Sequence, residues 1–228
     1  MNDTISVDKE LVQKFFGAFP AECMKLSREQ QQISTQIYKS LAEGNPVSIE
    51  NLSNSLGIDQ EFVKNITDEW PGIYYNDDSR IVGYWGLTTQ EMGHRLKIDG
   101  ITTYTWCAWD ALFIPHIIGK TAEVESRDPV TKNTIKLTVT PTDGISNVTP
   151  SEAVISFLFP DTAEVMADVI SSFCHYILFF ESNSSAKKWI SENEKKEELW
   201  ILPIDEAFLL GLRKNEMQYG LADILETA

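Results

Sequence analysis

The strongest constraint on this chain is the run from Ile101 to Gly119, ITTYTWCAWDALFIPHIIG. It is too apolar and aromatic to lie on a surface, yet it carries a thiol, Cys107, and a carboxylate, Asp110, three residues apart. Any fold must therefore bury two chemically active side chains together with Trp106, Trp109, Leu112, Phe113 and Ile114. If the run is helical, that spacing stacks both groups on one face. A carboxylate in such a neighbourhood loses hydration, and its pKa rises toward values useful for moving protons. The same residues also suit a plainer role, with Cys107 as a small core hydrophobe and Asp110 as a helix cap or ion-pair partner. Pro115 predicts a break near Ile114, because proline lacks the N–H that a helix interior uses.

A second apolar run, Phe173 to Phe180 (FCHYILFF), holds a single thiol, Cys174. Two thiols and a carboxylate in aromatic shells suggest a soft-metal or thiolate site. The remaining cysteine, Cys23, lies in a mixed context and is read as incidental. Three cysteines make no disulfide framework and fit a reducing compartment. There is no Gly-rich phosphate loop, Cys-x-x-Cys or His-Glu-x-x-His, so neither zinc nor a nucleotide cofactor is expected. Of the three histidines, His94 sits in a polar segment and is expected at the surface. His116 and His175 neighbour the two thiol-bearing runs, which leaves a Cys–His hydrolase open as an alternative.

The net charge of -15, from 19 basic and 34 acidic residues, argues against nucleic acid or an anionic membrane as a partner. The first residues, MNDTISVDKE, do not read as a signal peptide, and no apolar run reaches the ~20 residues needed to span a bilayer. A soluble, cytoplasmic protein is expected.

Along the chain, Lys9 to Phe19 has helical apolar spacing. Helices are predicted from Ser27 to about Glu43, Ser48 to Leu56 and Asp59 to Trp70, with strands over Ile73–Tyr75 and Arg80–Trp85. Three helices and a hairpin form a winged-helix pattern, which usually suggests DNA binding. Between Ser27 and Gln90, however, four basic residues face nine acidic ones, so a packing module is the better reading. The segment Leu87–Arg95 is read as helical or a linker. A hairpin is predicted over Lys120–Arg127 and Thr134–Thr140, and a polar loop over Pro141–Pro150. Further expected elements are a strand at Ala153–Phe159, a helix from Val165 to Phe173 and a polar helix from Ser182 to about Asn193. A strand at Leu199–Leu202 and a helix at Asp205–Leu212 complete the chain. The predicted class is α+β. A helical extension (1–26) and a winged-helix-like three-helix domain (27–90) precede a mixed α/β catalytic domain with antiparallel strands (91–228).

Five segments occur in order between Gly83 and Gly211: Thr102–Gly119, Thr121–Glu125 (TAEVE), Lys136–Pro141 (KLTVTP), Ser172–Phe180 (SFCHYILFF) and Asp205–Gly211 (DEAFLLG). Together they resemble the organomercurial (alkylmercury) lyases. That resemblance implies protonolysis of the carbon–mercury bond of alkyl- and arylmercury compounds, giving a hydrocarbon and mercuric ion, in mercury resistance and detoxification. It implies Cys107 as the attacking thiolate, Cys174 as the second thiol and Asp110 as the proton carrier, with all three holding the mercuric product. Trp106 is the first candidate for shaping the substrate pocket. It implies no tightly bound cofactor, external low-molecular-weight thiols for turnover, and mercuric reductase as a partner for product transfer. It also implies a helical N-terminal domain of the winged-helix type. Two features depart from the family. Several members carry a structural cysteine in the turn that here reads Ser126-Arg127-Asp128-Pro129, and many have a cysteine where this chain has His175. Two non-catalytic readings remain beside it: a soft-metal binding protein using the same thiols, and a metal-responsive winged-helix regulator.

Overall fold

The computed structural model describes residues 25–159 and 161–220; the Lys9–Phe19 segment and Cys23 lie outside the described residues. The fold mixes helices with two antiparallel sheets. Three helices come first: α1 (Arg28–Ala42), α2 (Ile49–Leu56) and α3 (Gln60–Glu69). Each starts on a side-chain cap. Ser27 and Gln30 close a capping box on α1, while Ser48 and Asp59 accept from Asn51 and Phe62 N–H groups. Ile33, Ile37, Tyr38 and Leu41 form the buried stripe of α1, as their spacing predicts.

The larger sheet has eight strands. These are β1 (Ile73–Tyr75), β2 (Ile81–Tyr84), β3 (Leu87–Thr88), β4 (His94–Ile98), β5 (Ile101–Thr105), β6 (Ala122–Arg127), β7 (Thr134–Thr140) and β8 (Gly144–Thr149), in the spatial order β1-β2-β3-β5-β4-β6-β7-β8. The β1–β2 turn forms because Asn76 Oδ1 accepts from the N–H groups of Asp78 and Arg80. Val47, after α1, bridges to Ile81 and ties the helices to this hairpin.

Two sequence expectations fail in this sheet. Leu87–Arg95 is neither helix nor linker: it supplies β3 and the start of β4. Asp99 and Gly100, both at positive φ, turn β4 into β5, and the β-branched Ile101, Thr102, Thr103 and Thr105 extend the chain there. Pro141–Pro150 is not a loop throughout, because Gly144 at φ 91° reverses the chain and β8 pairs back on β7.

The smaller sheet, in the order β10-β9-β11, is built on the fully buried β9 (Val154–Leu158), flanked by β10 (Phe179–Phe180) and β11 (Leu199–Pro203). The predicted helix from Val165 to Phe173 is two short ones, α5 (Thr162–Ala167) and α6 (Val169–Ser172). Asp168 ends the first and caps the second through the N–H groups of Ile170 and Ser171. A 3₁₀ turn, Cys174–Tyr176, follows. After α7 (Asn183–Ser191), the chain closes with α8 (Ile204–Tyr219), longer than the sequence suggested.

At the centre lies α4 (Asp110–Ile118), with every residue buried. Pro115 does not break it. In a helix this short proline removes one interior hydrogen bond, and the packing of α1, α8 and β7 around it outweighs that loss. Gly211 of α8 lets the two helices touch, since a Cβ there would come within 2.5 Å of the Phe113 Cβ.

Asp128, in the β6–β7 turn, fastens the two sheets together. Its fully buried carboxylate accepts from Val130 N, Thr131 N and Ser185 Oγ through Oδ1, and from Glu181 N through Oδ2. Burial works to raise its pKa, but the Ser185 hydroxyl and these backbone N–H groups hold it below the ordinary carboxylate value. Asp128→Ala is expected to cost about 2–4 kcal/mol, measured by urea unfolding at neutral pH. Because the folded-state pKa is depressed, this contribution is present above the unfolded-state pKa and is lost as the pH falls through the folded value.

Candidate active site

Cys107 does not share a helical face with Asp110, as the sequence had suggested. It lies in the bend between β5 and α4, and Asp110 is the first residue of the helix. The two still meet, because the Cys107 N–H donates to Asp110 Oδ2 at 3.0 Å. The bend is pinned on every side. Thr105 Oγ1 donates to Cys107 O at 2.9 Å, Trp106 N to Gly86 O at 2.9 Å, and Trp109 Nε1 to Ala207 O at 2.8 Å. Ala108 N donates to Ile177 O at 3.0 Å, which draws the bend against the 3₁₀ turn that carries Cys174.

The result is one cluster. One ligand atom each from Cys107, Asp110 and Cys174 lies within 4.8 Å of the others, and all three residues are buried. The Cys174 thiol points at Asp110 Oδ2 from 4.0 Å. Burial pushes the Asp110 carboxyl up to about 6, against the hydrogen bonds from Cys107 that favour its ionised form. Burial likewise pushes the Cys107 thiol well above its ordinary value, aided by the neighbouring Cys174 and Asp110. For Cys174 the hydrogen bond with Cys107 pulls the other way, but burial and the Asp110 charge leave it raised. At rest the site holds two protonated thiols around a carboxyl that exchanges its proton near neutral pH.

A cavity of about 40 Å³ adjoins Asp110 and Cys174. Trp85, Trp106, Trp109, Phe113 and Phe173 give it aromatic walls, and Lys214 reaches it from α8. Trp106 is itself held edge-on by Tyr74, with ring centroids 5.1 Å apart. A wider cleft of about 550 Å³ on the β4–β7 face holds no thiol, and its Arg95, Lys97 and Lys136 are paired with Glu123 and Glu125.

Sequence reasoning missed two residues here. Gly86, at φ 101°, passes so close to the site that a Cβ would lie 2.5 Å from Asp110 Oδ1. A glycine directly after a predicted strand was the available signal. Lys214 follows the recognisable DEAFLLG segment, and nothing local marks it. The half-buried amine lies 4.1 Å from the Phe113 ring centroid. Burial lowers its pKa to about 7, opposed by the Asp110 charge.

No histidine joins the cluster. His94 is buried rather than exposed, with Nδ1 2.8 Å from Ser126 Oγ, because it sits on the inward face of β4. Burial lowers its pKa to about 4. His116 packs beside Asn215, and His175 is exposed against the Tyr176 ring. A Cys–His nucleophile pair is therefore not assembled among the described residues.

A family model described as alkylmercury lyase (MerB) matches residues 87–214. The chain is 38% identical over 175 residues to an alkylmercury lyase of Staphylococcus epidermidis, covering 77% of each. It is 37% identical over 194 residues to an alkylmercury lyase of Pseudomonas putida, covering 84% of this chain and 88% of that one. A crystal structure of the mercury-bound form of MerB2 superposes with a TM-score of 0.73 at 26% identity, covering 92% of this chain and 99% of the other.

Proposed function

The chain belongs to the alkylmercury lyase family, and we propose that Cys107, Cys174 and Asp110 carry the reaction that defines it. The protein is an enzyme that cleaves the carbon–mercury bond of organomercurials, giving a hydrocarbon and mercuric ion. The observation that supports the residue roles is the buried cluster of two thiols and a carboxyl raised to about 6.

An organomercurial reaches the site as its adduct with a small thiol. The Cys107 sulfur attacks mercury and displaces that thiol, which leaves with the Cys107 proton. Cys174 then adds to mercury, and its proton passes to the Asp110 carboxylate 4.0 Å away. Sulfur is the right donor because mercury is large and polarisable. Two thiolates load the metal with electron density, and the carbon–mercury bond breaks with its electron pair on carbon. Asp110 delivers the proton to that carbon as general acid. The hydrocarbon leaves, and the mercuric ion stays on the two thiolates beside the regenerated Asp110 carboxylate. Two external thiols withdraw it and return their protons to Cys107 and Cys174. The aromatic walls, Trp106 among them, admit apolar groups and keep water from competing.

The carboxyl separates this reading from the alternative of a non-catalytic mercury binding protein, which needs no proton carrier. The test is to supply phenylmercury with excess thiol and quantify benzene and inorganic mercury. Multiple benzene molecules per protein, above the thiol-only control, are expected; stoichiometric mercury capture without benzene would leave only the binding protein. Gly86→Ala is expected to lower benzene release about 100-fold, because its Cβ would push Asp110 from its position.

We read 27–90 as a winged-helix-like packing module and 91–228 as the catalytic unit. The order of three capped helices and a hairpin and the Val47–Ile81 bridge support this reading. The acidic balance of the module speaks for packing rather than nucleic-acid binding. Among the described residues no helix is long and apolar enough to cross a membrane. Free Cys107 and Cys174 suit a reducing, cytoplasmic setting, with mercuric reductase as the downstream acceptor.

A further inference from the structure

Lys214 is the one basic side chain lining the cavity beside Asp110 and Cys174. It is half-buried, makes no salt bridge among the described residues, and rests on the face of the Phe113 ring. The rest of the lining gives that ammonium no anion except Asp110, whose charge the reaction itself consumes and restores. A partly desolvated cation whose one nearby anion is neutralised in each turnover is an arrangement that an incoming anion would relieve. Phe113 is also an aromatic wall of the cavity, so an aryl substituent packed in it would lie near this cation.

Building on the lyase reading, we propose that Lys214 is a specificity-determining residue that makes this pocket favour organomercurials bearing an anionic group, such as an aromatic carboxylate, on the organic moiety. Long-range steering cannot produce that preference, because the protein carries a net charge of -15 and repels anions at a distance. The selection has to be local, within the apolar pocket, where a charge-assisted hydrogen bond is strongest.

The test compares phenylmercury with 4-(chloromercuri)benzoate, which release benzene and benzoate, in wild type, Lys214→Met and Lys214→Arg. The external thiol is 2-mercaptoethanol, so that no charge enters with it. Lys214→Met keeps the length and apolar stem of the side chain, so a folded protein is expected. Its kcat/KM for the mercuribenzoate should fall roughly 10- to 100-fold, the equivalent of one hydrogen bond to a charged group. Phenylmercury, which carries no anion, should lose far less, only what the Lys214–Asp110 charge interaction contributes, so the ratio between the two compounds is the readout, and Lys214→Arg should keep the preference. An equal fall for both compounds would mark a structural role, and no fall for either would remove Lys214 from recognition; each overturns the inference. A wild type that releases benzene but discriminates against the carboxylate also overturns it and leaves the lyase reading intact. A wild type that releases neither product removes both.

Discussion

Asp110→Asn is expected to lower benzene release from phenylmercury by about 10²- to 10⁴-fold while leaving mercury capture by the thiols intact. Asparagine fits the same space, and its side-chain oxygen still accepts the Cys107 N–H that Asp110 accepts at 3.0 Å. What it lacks is a transferable proton. Carbon is a poor base until its bond to mercury is breaking, so the proton has to be waiting at that moment. Quantified benzene and bound mercury separate the two effects in one experiment. A variant that still turns over near the wild-type rate would remove Asp110 as the acid.

The same substitution should also reveal what the site costs the fold. Burial raises the Asp110 carboxyl from its ordinary 3.8 to about 6. Its ionised form therefore costs the native state roughly 3 kcal/mol at neutral pH. The sign follows from proton binding. Between the unfolded and folded values the native state binds more protons, so wild-type stability falls as the pH rises through that window. Asp110→Asn should thus gain stability over wild type near pH 8 and lose that advantage near pH 4, by thermal melting at both. The proposed acid is held in a place that folding alone would not choose.

Cys107→Ser is expected to bring benzene release down to the level of the thiol-only control. A hydroxyl is a hard, poorly ionised donor that neither captures mercury nor loads it with electron density. Cys107 is fully buried, so an oxygen there would also be poorly hydrated. The neighbouring Cys174→Ser variant should still capture the organomercurial on Cys107 and stall, because mercury then lacks its second thiolate. Mass spectrometry should find the intact organomercury adduct on Cys174→Ser and none on Cys107→Ser. Retention of the adduct by Cys107→Ser instead would exchange the two proposed roles.

Much of this protein was legible in its residues. The caps at Ser27, Ser48 and Asp59, the stripe of α1 and the β6–β7 hairpin all follow from local chemistry that acts over a few positions. So did the need to bury Cys107 and Asp110, because no apolar run of that kind can face water. The errors came where neighbours distant in sequence decided the outcome. His94 looked like a surface residue in a polar segment, yet β4 pairs with both β5 and β6 and turns it inward. Pro115 looked like a helix breaker, yet the packing around α4 holds the helix through it.

The available chemistry could be read from the residues alone: two soft thiols, one carboxylate and an apolar, aromatic setting to raise its pKa. The sequence could not determine that these groups meet. Cys174 and Asp110 are 64 residues apart in the chain, and their approach depends on the hydrogen bond from Ala108 to Ile177 and on the β9 sheet behind it. Nor could it single out Gly86, whose missing Cβ makes room for Asp110, or Lys214, brought to the cavity by the packing of Gly211 against Phe113. Local propensity acts through bonds and near neighbours, whereas a catalytic distance is set by packing between distant segments. Tertiary structure therefore decided the geometry of a chemistry the sequence had already supplied.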